Sequence, residues 1–307
     1  MQSWEIAARV LAIIIPIGLA FGLRIAGLIQ TEDGYALRRF VVRVAVPVLV
    51  FFSMYDAEAG DLRAIPLMIG AAFLVCAGRF LLGAGASFTV RGQQRRAAIT
   101  AATTMGNFGW LGFGVAEVLL GDAGLRRAVF FVLPWWPIFF TVGLSAAAIH
   151  GGSSERGIPW KRMGAMMSPI LAALALGLGL NLGGVTIPSF LSISLRPIGA
   201  TCVPLILFSV GLLLSPKSIG RSLRPALIIS LTALVLGPFV GWAVARLLHA
   251  DPVSASVIIL EAGMPVATMI PVLREYIDMD ADLAGTAVVL STLLSLVSLP
   301  IVASLIL

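Results

Sequence analysis

The sequence predicts an all-α membrane protein of about ten transmembrane helices, arranged as two inverted five-helix repeats. Three observations predict it. Hydrophobic residues fill 59% of the 307 positions and charged residues only 12%, giving a mean hydropathy of +1.02. Apolar runs near the roughly 20 residues needed to cross a bilayer recur along the whole chain. Two of those runs break internally, at Met105-Gly106-Asn107-Phe108-Gly109 and at Glu261-Ala262-Gly263-Met264-Pro265.

Taken in order, the first five spans cover 6–29, 40–55, 64–90, 96–120 and 125–148. The second five cover 161–182, 190–214, 223–248, 253–276 and 283–307. Each is a run of apolar residues bounded by charged or turn-forming ones, as span recognition requires. The segment 151–157, Gly-Gly-Ser-Ser-Glu-Arg-Gly, is the most linker-like and divides the chain into 1–150 and 151–307.

The halves look alike at a constant offset. Pro47 of Pro47-Val-Leu-Val-Phe51 matches Pro204 of Pro204-Leu-Ile-Leu-Phe208, with 204 − 47 = 157. Gly22 and Gly179, and Asn107 and Met264, stand at the same offset. Five spans per half is an odd number, so the second half must cross in the opposite sense, which makes the repeats inverted.

The net charge of +6 and the pI near 10.1 could suggest nucleic acid. The basic residues, however, fall in short loops between apolar runs, where they set membrane orientation. Loops after odd-numbered spans carry Arg38, Arg39, Arg91, Arg95, Arg96, Arg156, Lys161, Arg162, Lys217, Arg221, Arg224 and Arg274. Loops after even-numbered spans carry fewer, namely Arg63, Arg126, Arg127, Arg196 and Arg246, together with Asp56, Glu58 and Asp61. Both termini are therefore expected on the non-cytoplasmic side of a bacterial inner membrane. The N-terminus lacks a basic n-region and a cleavage site, so the first span is expected to be retained.

Enzyme chemistry is not expected. The two histidines, His150 and His249, sit at span ends, and neither an H-E-x-x-H helix nor a phosphate loop occurs. Cys76 and Cys202 lie inside apolar runs and read as buried thiols rather than a disulfide.

The breaks are where chemistry is expected. Lipid offers no partner to an orphaned backbone group, so irregular backbone at mid-depth makes sense only around a wet or protein-lined cavity. Paired breaks in two halves point to a binding site. Glu261 is the sharpest candidate, since an intramembrane carboxylate costs about 2.5–3.5 kcal/mol even on insertion scales. It reads as a Na+ or H+ site, or as a structural carboxyl at the break. Asn107 can donate to a carboxylate or ligate a cation through its oxygen, or it can tie helices together. Pro265 ends the first half-helix and Pro271 adds a second disturbance; a second half-helix would aim its N-terminal N–H groups at the break, or the prolines kink the span without binding a ligand. Arg79 lies too deep in the third span to snorkel, and so either attracts an anion or pairs with a buried acid. Pro47 with Ser53, and Pro204 with Ser209, occupy corresponding places on spans two and seven. Pro134-Trp135-Trp136-Pro137 interrupts span five, where lipid packing competes with cavity lining. The candidate substrate-contacting residues are Gly106, Asn107, Phe108, Gly109, Met264, Pro265 and Thr268, with Pro47, Ser53, Ser209 and Arg79.

At these residues the chain resembles the auxin efflux carrier family, which includes bacterial malonate carriers and plant PIN-type exporters. The resemblance rests on Ala45-Val-Pro47-Val-Leu-Val-Phe51, Gly106-Asn107-Phe108-Gly109-Trp-Leu-Gly112, Pro204-Leu-Ile-Leu-Phe208-Ser209-Val-Gly211 and Glu261-Ala-Gly-Met-Pro265-Val-Ala267, with Val289-Leu-Ser-Thr-Leu-Leu-Ser295 and Pro300. It implies broken helices four and nine crossing in an X, between a scaffold of spans 1, 2, 6 and 7 and a core of spans 3–5 and 8–10. It also implies a small organic anion as substrate, moved by alternating access, and a homodimer through the scaffold panel. The long central hydrophilic loop of the plant proteins is absent. More distantly, Glu261-Ala-Gly-Met264 resembles the ninth-span sodium-binding Glu-x-Gly-Met of bile-acid sodium symporters, and Asn107 falls where they place a ligand Asn. Pro265 and Gly106 stand where those proteins carry Gln and Ser ligands. A passive channel for organic anions is the alternative that broken helices alone permit.

Overall fold

A computed structural model describes residues 3–151, 160–213 and 222–307. Among them the chain is helical throughout, with no strand beyond one isolated bridge. Five helical stretches are long and apolar enough to cross a membrane: Ala59–Ser87, Phe108–Val132, Ser189–Leu212, Leu223–Leu247 and Ala281–Ile306. Shorter apolar helices complete the set. The linker 152–157 and the stretch 214–221 lie outside the described residues.

In chain order, the first part contains α1 (Ser3–Ile25), α2 (Thr31–Phe40), α3 (Val46–Tyr55), α4 (Ala59–Ser87), α5 (Gln93–Thr104), α6 (Phe113–Val132) and α7 (Trp135–Ile149). The second contains α8 (Trp160–Leu182), α9 (Ser189–Ala200), α10 (Cys202–Leu213), α11 (Leu223–Leu231), α12 (Gly237–Leu247), α13 (Pro252–Ala262) and α14 (Ala281–Ile306). Helical segments occupy every predicted span, but several bounds move. The second run begins at Thr31 rather than residue 40, because α2 continues through a π-helical turn, Val41–Ala45, into α3. Gln30 and Asp33 form a capping box that starts this helix early. Span four runs into span five without a clean stop. Gly121, at φ +66°, turns the chain inside α6, a conformation that costs glycine little and other residues more. Span five breaks at Leu133–Pro134 and resumes as α7.

Hydrophobic driving force between helices is weak in lipid, so close approach by small residues matters. A Cβ on Gly211 of α10 would meet the Ile17 carbonyl of α1, and one on Gly241 of α12 would meet Ala262 and Ile258 of α13. The helices so paired, α1 with α10 and α12 with α13, are among the most extensive contacts, alongside α3 with α8 and α4 with α5.

Polar contacts join loops that the sequence assigns to one membrane side. Asp61 pairs with Arg126 at 2.7 Å and also with Arg127. Arg127 Nε donates to Ser254 Oγ at 3.1 Å, and Ser254 Oγ donates to Asp251 at 2.5 Å. Arg196 forms a two-pronged pair with Asp56. All of these lie after even-numbered spans. Arg95 with Asp280, and Thr100 with His150, form the corresponding contacts at the ends assigned to the other side.

Candidate functional site at the paired breaks

Span four stops at Thr104 and restarts as a π-helical turn, Phe108–Gly112. Span nine stops at Ala262 and continues without α-helix through residues 263–269. The two interruptions touch. Asn107 N–H donates to the Pro265 carbonyl at 2.7 Å, and Ala267 N–H donates to the Met105 carbonyl at 2.9 Å. Gly106 and Val266 thus form an antiparallel bridge. Val266 N–H donates to Ser291 Oγ on α14 at 3.0 Å. Backbone groups that lose their helical partners at one break are therefore satisfied by the other, which is what a water-poor interior demands.

The expected second half-helix of span nine does not form. The chain after the break makes only a 3₁₀ turn, Ile270–Glu275. Pro265 and Pro271 lack N–H groups, and the donors of Val266 and Ala267 bond outside the segment, so little is left to restart an α-helix. Helix-dipole help for an anion from that side falls away. The restart in span four survives, with Asn107 O accepting from both Leu111 N–H and Gly112 N–H at 3.0 and 3.1 Å.

Arg79 on α4 is fully buried and threads between the breaks. Its Nε donates to the Thr103 carbonyl at 2.8 Å, and Nη1 donates to the carbonyls of Ala262 at 2.9 Å and Met264 at 3.2 Å. The guanidinium carbon lies 5.7 Å from the centre of the Phe108 ring. The expectation of a free anion attractor is thereby narrowed, because two of its three nitrogens serve the backbone.

Glu261 sits in the last turn of α13, 1% exposed, with both carboxylate oxygens lacking a protein hydrogen bond. Its carboxylate packs where a Cβ on Gly112 would stand, so the glycine makes room for it. It also lies within Coulombic range of Arg79. Asn107 is equally buried, and neither its amide nitrogen nor its oxygen has a protein partner. Buried polar groups normally find partners. Two such side chains on breaks that touch one another are unusual for structural residues.

Other expected residues divide. Gly106, Phe108, Met264 and Pro265 are buried at the meeting point, with Gly109 and Thr268 half-buried beside it. Gly106 is held tight, since a Cβ there would overlap the Phe108 ring. Pro47 and Ser53 belong to α3, and Ser209 Oγ donates to its own helix at Ile206. No described hydrogen bond ties them to the breaks. Trp135 and Trp136 pack in an aromatic stack with Phe139 and Phe140, an arrangement of the core rather than of the breaks. The backbone carbonyl of Thr103 and the hydroxyl of Ser291 escaped notice in the sequence. Ser291 stands in the apolar run that carries the last-span motif, a signal that could have found it.

A family profile described as a membrane transport protein matches residues 6–148 and 160–303. The chain belongs to that family, the auxin efflux carrier family. This membrane transport protein is also 32% identical to an uncharacterised transporter of Methanothermobacter thermautotrophicus, with 95% of each chain covered. It is 25% identical to an uncharacterised transporter of Methanocaldococcus jannaschii, with 94% of each covered. Apolar helices and family together make it a multi-pass transporter.

Of the ligands a sodium ion would need, this family member offers the Glu261 carboxylate and the Asn107 amide. Pro265 and Gly106 contribute no side-chain oxygen. Among the described residues no cluster of three or more His, Cys, Asp or Glu side chains could hold a metal. The neighbouring break carbonyls of Ala262 and Met264 already accept from Arg79.

Proposed function

We propose that the chain is a secondary active transporter of a small organic anion, a carboxylate or auxin-like weak acid, working by alternating access of the elevator type. The observation that carries this reading is the pair of breaks with the unpartnered, buried Asn107 amide and Glu261 carboxylate. An amide supplies donors to a carboxylate, and the Phe108–Gly112 turn begins a helix whose N-terminal end favours negative charge.

In this reading the halves 1–150 and 151–307 are inverted repeats and the breaks are their crossover. The helices of spans 1, 2, 6 and 7 form a fixed scaffold, through which two copies pair, and the remaining helices form the moving core. In this reading both termini lie on the non-cytoplasmic side of the cell membrane, which the excess of basic residues in the loops after odd-numbered spans supports. Glu261 couples movement to a cation by binding it or by taking a proton.

Uptake into proteoliposomes tests the reading. Saturable uptake competed by carboxylates supports it, whereas competition by cations or neutral solutes alone defeats it. Unsaturable flux at high turnover would favour a passive uniporter or channel. Glu261→Gln keeps shape while removing charge, and is expected to abolish dependence on the ion or pH gradient. Wild-type rate with unchanged ion dependence would make Glu261 structural.

A further inference from the structure

We infer that Arg79 is a tethered cation: its guanidinium holds the carbonyls of both breaks that a coupling sodium ion would otherwise need, so this transporter works without sodium. The inference takes the breaks as the transport site, as proposed above, and goes on to name which ion the site excludes.

Helices α5 and α13 both run C-terminal end first into the breaks. The last carbonyls of a helix have no intrahelical partner and carry the negative end of its dipole. Two such ends meeting in a buried place require a positive charge. Arg79 supplies it from α4, reaching Thr103 O of the last turn of α5, Ala262 O at the end of α13, and Met264 O inside the break. A guanidinium has five donors in a fixed planar fork and stays charged at physiological pH. It can therefore serve several carbonyls at once, as a small cation does, and it cannot leave.

The rest of the neighbourhood fits a site whose cation is built in. Glu261, the residue next to Ala262, lies within Coulombic range of the guanidinium without bonding to it. Phe108 presents its ring at 5.7 Å, a distance within the range of cation–π attraction. Gly106 and Pro265 bring no side-chain oxygen to replace the carbonyls that Arg79 has taken. A sodium ion arriving here would meet a like charge in a poorly screened interior. With sodium excluded, protonation is the coupling route left to Glu261.

The test needs no substrate. Thermal unfolding of the purified full-length protein in lipid nanodiscs is followed in sodium chloride and in choline chloride at equal ionic strength. The wild-type midpoint is expected to be the same in both. Arg79→Ala is expected to unfold at a lower temperature, with the loss reversed by millimolar guanidinium or by sodium, neither of which raises the wild-type midpoint. Guanidinium refills the place of any buried arginine, so rescue by sodium is the outcome that a merely structural arginine would not give, and rescue by guanidinium alone overturns the inference. A sodium-dependent rise in the wild-type midpoint overturns the inference, as does a folded Arg79→Ala that ignores both cations. If Arg79→Ala does not fold, the wild-type comparison decides alone in the same two directions. Sodium stabilisation of the wild type would leave the organic-anion reading standing, and a failure to bind any carboxylate would sink that reading without touching this result.

Discussion

Asn107 donates its backbone N–H to the Pro265 carbonyl oxygen at 2.7 Å, while both polar atoms of its side chain go without a protein partner. The backbone thus fixes the residue in place and leaves the amide for something else. The same division recurs at Glu261, whose helix is held by Arg79 through Ala262 while its carboxylate carries no hydrogen bond.

Gly112→Ala tests how tightly that carboxylate is held. The new methyl would overlap both Glu261 oxygens, so the side chain or the helix must shift. Overpacking of this kind costs about 1–3 kcal/mol. The variant is expected to unfold at lower temperature and to lose the ion or pH dependence of transport along with Glu261→Gln, measured by thermal unfolding and by uptake under imposed gradients.

Much of this site was legible because its chemistry breaks a strong rule. Glycine, proline, Asn107 and Glu261 stand out in apolar spans where lipid tolerates none of them freely. The pairing of the breaks was legible, but the backbone bridge that joins them was not, since the contact between Gly106 and Val266 is made by backbone atoms that every residue shares. The role of Arg79 was hidden for the same reason, because its partners are the carbonyls of Thr103, Ala262 and Met264 rather than side chains. The second half of span nine misled as well. Its apolar composition suits a helix, yet two prolines and the outward bonding of its N–H groups leave only a 3₁₀ turn.

The Asp61–Arg127 pair should matter more than a surface ion pair. Both residues are more than nine-tenths buried, and Arg127 also reaches Ser254 on α13. Arg126 stays on Asp61 at 2.7 Å when Arg127 is removed, so the loss is expected to fall short of the about 3–5 kcal/mol that a fully uncompensated buried charge costs. Arg127→Ala is expected to lower the unfolding midpoint, and Asp61→Asn to lower it further, because it strands both Arg126 and Arg127. Equal midpoints for wild type and Arg127→Ala would show that the pair contributes nothing.

Asp251 gives the stability a pH dependence. Burial raises its pKa, but hydrogen bonds from Ser254 and Val253 and the charge of Arg127 outweigh that and hold it below the usual carboxylate value. A carboxylate depressed in the native state stabilises fully above its unfolded pKa, and the stabilisation is lost as pH falls through the native one. Asp251→Asn keeps an N-cap and should flatten the acid side of the stability profile. Asp251→Ala also removes the cap of α13 and should cost about 1 kcal/mol more at neutral pH. Thermal unfolding between neutral and acid pH checks both, and identical profiles for wild type and Asp251→Asn would contradict the assignment.

The central claim, that the paired breaks form the organic-anion site, is tested most directly by carboxylate binding to wild type and Asn107→Ala. Isothermal titration against a panel of small carboxylates is expected to find at least one ligand for the wild type. Loss of the Asn107 amide should weaken it about tenfold or more, which is roughly 1.4 kcal/mol. The unfolding midpoint should hardly move, since no protein hydrogen bond to that side chain is lost. Undiminished affinity in Asn107→Ala would contradict the account and place the substrate elsewhere.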